Sequence, residues 1–188
     1  KFMKKILNSI GLVAMAALLF TNVSYAQEKS VMVGGAAMFP SKTIVENAMN
    51  SKDHTTLVAA VKAAGLVETL QGDGPFTVFA PTNEAFDKLP KGTVETLLKP
   101  ENKQMLSSIL TYHVVASKLD SKTLMEWIKK NGGSYTVKTV QGGEIKFSIM
   151  GKTLMLTDEK GNMAHVTIKD VYQKNGVIHV IDTVVMPK

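Results

Sequence analysis

The chain has 188 residues, 45 % of them hydrophobic and 20 % charged, with a formal net charge of +6. That is the length of one domain, and the apolar share supports a core and excludes a disordered chain. Cysteine is absent, which excludes disulfides, thiol chemistry and a lipid-modified cysteine. All 22 basic residues are lysines, so the bidentate arginine contacts of nucleic-acid readers are missing and no nucleic-acid partner is expected.

Part of the charge belongs to a leader. Met3 reads as the natural start, Lys4 and Lys5 are a basic beginning, and Ile10 to Phe20 is nearly all apolar. Ser24-Tyr25-Ala26 puts small residues at the third-last and last positions before a cut, so residues 1–26 read as a signal peptide removed after Ala26. The apolar run is shorter than the ~20 residues that span a bilayer, so no stable membrane span is expected after processing. The pattern is of the bacterial type and predicts a secreted or periplasmic protein. Processing removes Lys1, Lys4 and Lys5 and leaves 19 lysines against 16 acids, a net of +3. That is ordinary for a soluble domain.

Residues 27–42 are rich in small side chains and read as a flexible N-terminal arm. A single domain is expected over 43–188. Thr43 and Glu46 have capping-box spacing, and Asp53 can cap a helix over His54 to Ala64 that Gly65 stops. Phe76 to Ala80 reads as a strand apolar on both faces, hence buried on both. Pro81 ends it, and Thr82 or Asn83 caps a short helix that points Phe86 inward. Further helices are predicted over Thr93 to Leu98, Glu101 to Leu110 and Ser121 to Lys130, with a strand at Tyr112 to Val115. After Gly133 the pattern turns to short β runs separated by glycine turns, an antiparallel meander. Val177 to Met186 is a nearly unbroken apolar run and should be central. Helices first and strands later give an α+β fold, with the first and last apolar strands side by side.

Three segments carry a family resemblance. Thr77-Val78-Phe79-Ala80-Pro81-Thr82-Asn83-Glu84-Ala85-Phe86 resembles the first signature motif of the fasciclin domain family. Tyr112-His113-Val114-Val115 resembles its middle Tyr-His motif, and Asn175 to Pro187 its closing motif. Order and spacing agree, and the resemblance runs from about Thr43 to Pro187. It implies a wedge-shaped antiparallel β-sandwich with several short helices packed against it. It also implies a non-catalytic adhesion module without a cofactor, whose partner is a protein or polysaccharide of the cell surface, envelope or extracellular matrix. In animal members the Tyr-His motif, and an Asp-Ile pair before the closing motif, are associated with integrin binding. Tyr112 and His113 match the first, and Asp170-Val171 stands where the pair would be, with Val replacing Ile.

The residues themselves offer little catalysis. No Gly-x-Ser-x-Gly elbow, phosphate loop or zinc spacing of histidines is present, and no metal is expected. Asp158-Glu159 reads as a solvated turn. His54 and His165 read as solvent-facing, whereas His179 in its apolar strand reads as a buried, hydrogen-bonded imidazole. Asp182 in the same strand needs a partner. His179 and Asp182 are expected to lock onto the Pro81-Thr82-Asn83 corner. Tyr112 and His113 have a bland reading too, as packed residues that hold the sheet. The competing functions are a periplasmic small-ligand carrier with an apolar gap and an unrecognised hydrolase.

Overall fold

A computed structural model describes residues 28–188; the segment read as a leader, residues 1–26, lies outside the described residues. The segment read as a flexible arm is instead a hairpin of β1 (Val31–Val33) and β2 (Ala36–Met38). Gly34 and Gly35, with φ of 58° and 75°, make the two-residue turn whose twist matches the strands. Val33 and Met38 are buried in the main core, which holds the hairpin down. Its small residues therefore serve a tight turn and not looseness.

The helices follow their local signals. Thr43 and Glu46 close the capping box of α1 (Ile44–Ala48), the Thr43 N–H donating to Glu46 Oε2 at 2.7 Å. Then α2 (Thr55–Ala64) stops at left-handed Gly65, and α3 (Val67–Gln71) leads into β3 (Phe76–Pro81). Thr82 caps α4 (Asn83–Asp87) through the Ala85 N–H. After α5 (Thr93–Leu97) comes α6 (Lys103–Tyr112), which takes in Tyr112 and is closed by His113. The strand expected at Tyr112 is shortened to β4 (Val114–Val115). Asp120 caps α7 (Ser121–Lys130).

The meander runs β5 (Ser134–Lys138), β6 (Glu144–Met150), β7 (Thr153–Thr157), β8 (Met163–Gln173) and β9 (Gly176–Ile181). The strand order is β4-β3-β9-β8-β7-β6-β5. All neighbours are antiparallel except β3 and β9, which pair parallel from Phe76↔Gly176 to Pro81↔Ile181. The long β8 joins β7 with its first residues and β9 with its last, and its register shifts twice between Val166 and Val171. Such irregularities bend a strand, and the two halves of the sheet fold onto each other: Phe79 of β3 lies 5.2 Å from Phe147 of β6.

Two cores result. Phe79, Ile181, Ile145, Phe147, Leu156 and Val166 fill the sandwich, closed by Leu124 and Ile128 of α7. On the other face of β3 and β9, Val78, Ala80, Ile178 and Val180 pack under α1, α2 and α6. The alternation of β3 thus sends Phe79 one way and Val78 and Ala80 the other, which is why both faces are apolar.

Gly176 is required where the two central strands begin. A Cβ there would stand 2.0 Å from the Phe76 carbonyl oxygen. We expect Gly176→Ala to cost about 3 kcal/mol, the upper range for one substitution. Gly35→Ala, with a positive φ but nothing within 4 Å, should cost about 1 kcal/mol. Urea midpoints followed by circular dichroism would show it; equal losses would remove the close-approach argument.

Candidate functional site

The Tyr-His pair lies inside the molecule. Tyr112 is 0 % exposed and His113 2 %. The Tyr112 hydroxyl donates to the Glu144 carbonyl at 2.6 Å and accepts the Glu159 N–H at 3.2 Å, which ties α6 to two turns of the meander. Burial pushes its pKa up to about 12. His113 Nδ1 lies 2.8 Å from the Ile109 carbonyl and donates to it, and Nε2 accepts the Val185 N–H at 3.2 Å. One neutral tautomer satisfies both, and burial drives the imidazole pKa down to about 4. The residues expected to meet a partner are therefore not surface groups; their polar atoms hold α6, the meander and the C-terminal tail together.

Asp170 and Val171 divide in the same way. Val171 is fully buried, while Asp170 sits at φ 59° in the irregular part of β8. Its carboxylate accepts the Ser121 N–H at 2.6 Å and the Ser121 hydroxyl, at the start of α7. Asp120 accepts the Thr123 N–H at 2.8 Å, so two carboxylates face the positive end of this helix. His179 stands behind them: its Nε2 donates to the Leu119 carbonyl at 2.8 Å, and Nδ1 accepts the Asp170 N–H at 3.3 Å. The ring stacks on Phe79, with centroids 5.6 Å apart, and burial holds its pKa below the ordinary value. Thr77, which the sequence left as a plain strand residue, accepts the Leu119 N–H at 2.8 Å and donates to the Ser117 carbonyl.

The proposed lock on the Pro81-Thr82-Asn83 corner does not form through His179 or Asp182. The corner meets the closing strand through backbone, Thr82 N–H to the Ile181 carbonyl at 3.3 Å. Asn83 turns instead to the start of α2: Oδ1 accepts the Thr56 N–H at 3.0 Å, and Nδ2 donates to the Lys52 carbonyl at 2.8 Å. Asn83 thereby supplies the cap that Asp53 was expected to give. Beside it His54 is 1 % exposed, not solvated: Nδ1 meets the Ser51 hydroxyl at 2.9 Å, and Nε2 faces the Ala80 backbone without a well-formed bond. Asp158 is buried as well, accepting Asn162 and Met186 N–H groups at 2.8 and 2.9 Å. A turn that looked solvated is thus an anchor for the tail.

Asp182 bonds to His165, which is the half-exposed histidine expected. Its Oδ1 accepts the His165 N–H at 2.8 Å and its Oδ2 the ring Nδ1 at 3.1 Å, with Lys88 3.9 Å away. Burial works to raise the Asp182 pKa, and the bonds from His165 and Thr183 with the Lys88 charge outweigh it, leaving the carboxyl lower than usual. Asn175 is a further residue that sequence reasoning passed over. Its Oδ1 accepts the Ile44 N–H at 3.0 Å and its Nδ2 donates to the Leu70 and Gly72 carbonyls at 2.8 Å, joining α1, α3 and the start of β9. Its place in the closing motif was its one signal.

Among the described residues no three of His, Asp and Glu converge to hold a metal. An apolar cavity of about 40 Å³ lies between β3 and the helices, lined by Val45, Leu57, Val61, Leu70, Val78 and Leu110. It holds about one water's volume, against the roughly 300–1,000 Å³ of ordinary ligand sites.

The fasciclin domain family model matches residues 52–187. The chain belongs to the fasciclin domain family. This fasciclin domain is 49 % identical over 164 residues to Protein sll1483 of Synechocystis sp., covering 85 % of this chain and 82 % of that one. It is 33 % identical to the cell surface glycolipoprotein MPB83 of Mycobacterium bovis, over 87 % of this chain and 69 % of the other. It is 37 % identical to the transforming growth factor-beta-induced protein ig-h3 of Sus scrofa, over 79 % of this chain but 20 % of that longer protein. The solved FAS1 domain pair of the insect cell adhesion molecule fasciclin I shares the fold, with a TM-score of 0.70 at 17 % identity, over 85 % of this chain and 58 % of that one. A cell-surface protein is thus among its relatives. No helix among the described residues is long and apolar enough to cross a membrane.

Two outcomes follow for the buried ring. Tyr112→Phe removes the hydroxyl shared by Glu144 and Glu159 and should cost about 1–3 kcal/mol, read as a lowered urea midpoint. His113 has a folded pKa of about 4 against 6.5 when unprotected, so the unfolded chain takes up the proton first. Its stabilising contribution is complete above pH 6.5 and is lost as pH falls toward 4. Between pH 7 and 5 this residue alone should remove about 2 kcal/mol. A flat urea midpoint over that interval would show that the ring is not held neutral.

Proposed function

We propose that this chain is an exported, non-catalytic binding module that makes adhesive contacts with a protein or polysaccharide of the cell envelope or matrix. The observation that carries the reading is the fate of the motif side chains. Tyr112, His113 and His179 bond their polar atoms to backbone groups of the same fold, and Asp170 bonds to the backbone N–H and the hydroxyl of Ser121. A catalytic group needs a free lone pair or proton facing a substrate, and the buried rings of Tyr112, His113 and His179 turn theirs inward. The names of its relatives, a cell surface glycolipoprotein and a cell adhesion molecule, support the same class. The apolar cavity under the helices is too small to hold a drug-sized ligand.

On this reading the Tyr-His pair supports the binding surface from beneath. The test is retention of the full chain on immobilised envelope polysaccharides and surface proteins, compared with Tyr112→Phe at a temperature where both are folded. Retention should be the same per folded molecule. A selective loss in folded Tyr112→Phe would return the pair to the contact surface, and turnover of a hydrolysable substrate by pure protein would overturn the module reading.

A further inference from the structure

The outer face of β7 and β8 carries a group of soft metal ligands that the adhesion reading does not use. Leu156 and Ala164 pair across these strands and point into the sandwich core. Their neighbours therefore point outward. Met155 stands directly opposite His165, and Met163 lies two residues before His165 on the same face. Directly opposed Cβ atoms are about 4.5–5.5 Å apart, and thioether side chains with three rotatable bonds can reach a common point above the imidazole. Met163 is 58 % exposed and open to an incoming ion, whereas Met155 is buried, at 4 % exposed.

His165 is already set as a ligand. The ring hydrogen bond it makes among the described residues runs from Nδ1 to Asp182. That bond fixes the proton on Nδ1 and leaves the Nε2 lone pair outward, the carboxylate–histidine arrangement seen behind metal-bound imidazoles. Asp182 is held in turn by the His165 N–H, the Thr183 hydroxyl and Lys88. We propose that Met155, Met163 and His165 form a binding site for a single copper(I) ion. Two thioethers and one imidazole are a soft, uncharged donor set, which suits a soft monocation and is poor for zinc, magnesium or calcium. In a chain without cysteine, thioethers are the sulfur ligands available.

The test is a titration of the full chain with copper(I) under reducing conditions against the chromogenic chelator bicinchoninate. One equivalent should move from chelator to protein. Met163→Leu, at an exposed site that does not threaten the fold, should weaken retention by about tenfold or more, and His165→Gln likewise, the range lost when metal ligation is disturbed. Asp182→Asn should weaken it less, and Met105→Leu, on α6, should leave it unchanged. X-ray absorption of the loaded protein should show sulfur together with nitrogen. The proposal is overturned if no copper leaves the chelator, if Met163→Leu and His165→Gln bind like the parent, or if zinc(II) is held as tightly as copper(I).

Discussion

A strand pair covered on both faces has no water to satisfy its polar groups, and the parallel pairing of β3 with β9 is such a pair. Helices lie on one side of it and the rest of the sheet on the other. A polar side chain within the pair must find a partner within the fold, because leaving a buried group unpaired costs about 1–3 kcal/mol. Thr77 and His179 do so by gripping the loop that leads into α7. Asn175 does so by stitching the entrance of β9 to α1 and α3. The irregular connections around this strand pair are fixed in place by side chains that the pair itself obliges to bond outward.

The same constraint explains why the family's most recognisable side chains are interior ones. Tyr112 and His113 stand where α6 turns into β4, and their ring edges meet backbone from the meander and from the tail. Imidazole suits this work because its neutral form both donates and accepts, and two backbone groups of opposite character can share one ring. His179 repeats the device one layer away, between Leu119 and Asp170. What the molecule offers to a partner is then its outer surface, shaped by these anchors and not composed of them.

Much of the fold could be read from the chain. Both-face apolarity at Phe76–Ala80 and the unbroken apolar run of Val177–Met186 announced two central strands, the second of which ends earlier, at Ile181, and the glycine-separated runs after Gly133 announced the meander. What escaped were features set by distant partners. Small residues at Val33-Gly34-Gly35-Ala36 suggested looseness, because nothing local tells that Val33 and Met38 have a core to enter. His54 and Asp158 sit in polar stretches that read as solvated, and burial by chain segments far away in sequence decided otherwise. Asn83 lay in a motif read as a local corner, whereas its amide serves a helix start some 28 residues earlier. At the candidate site the packed reading of Tyr112 and His113 matches their burial, which Glu144, Glu159 and Val185 decide from far along the chain.

The neighbours of the central pair are far apart in sequence: Phe76 lies beside Gly176. A chain emerging from a ribosome or a pore, N-terminus first, has its helices and the first of these strands in hand long before their counterpart exists. Until β9 appears, Phe79 and Val78 have an open flank, and the nascent molecule is an adhesive strand edge in search of a mate. Its assembly is therefore gated by the synthesis of β9, and any holding factor that attends it must cover that flank until that strand arrives.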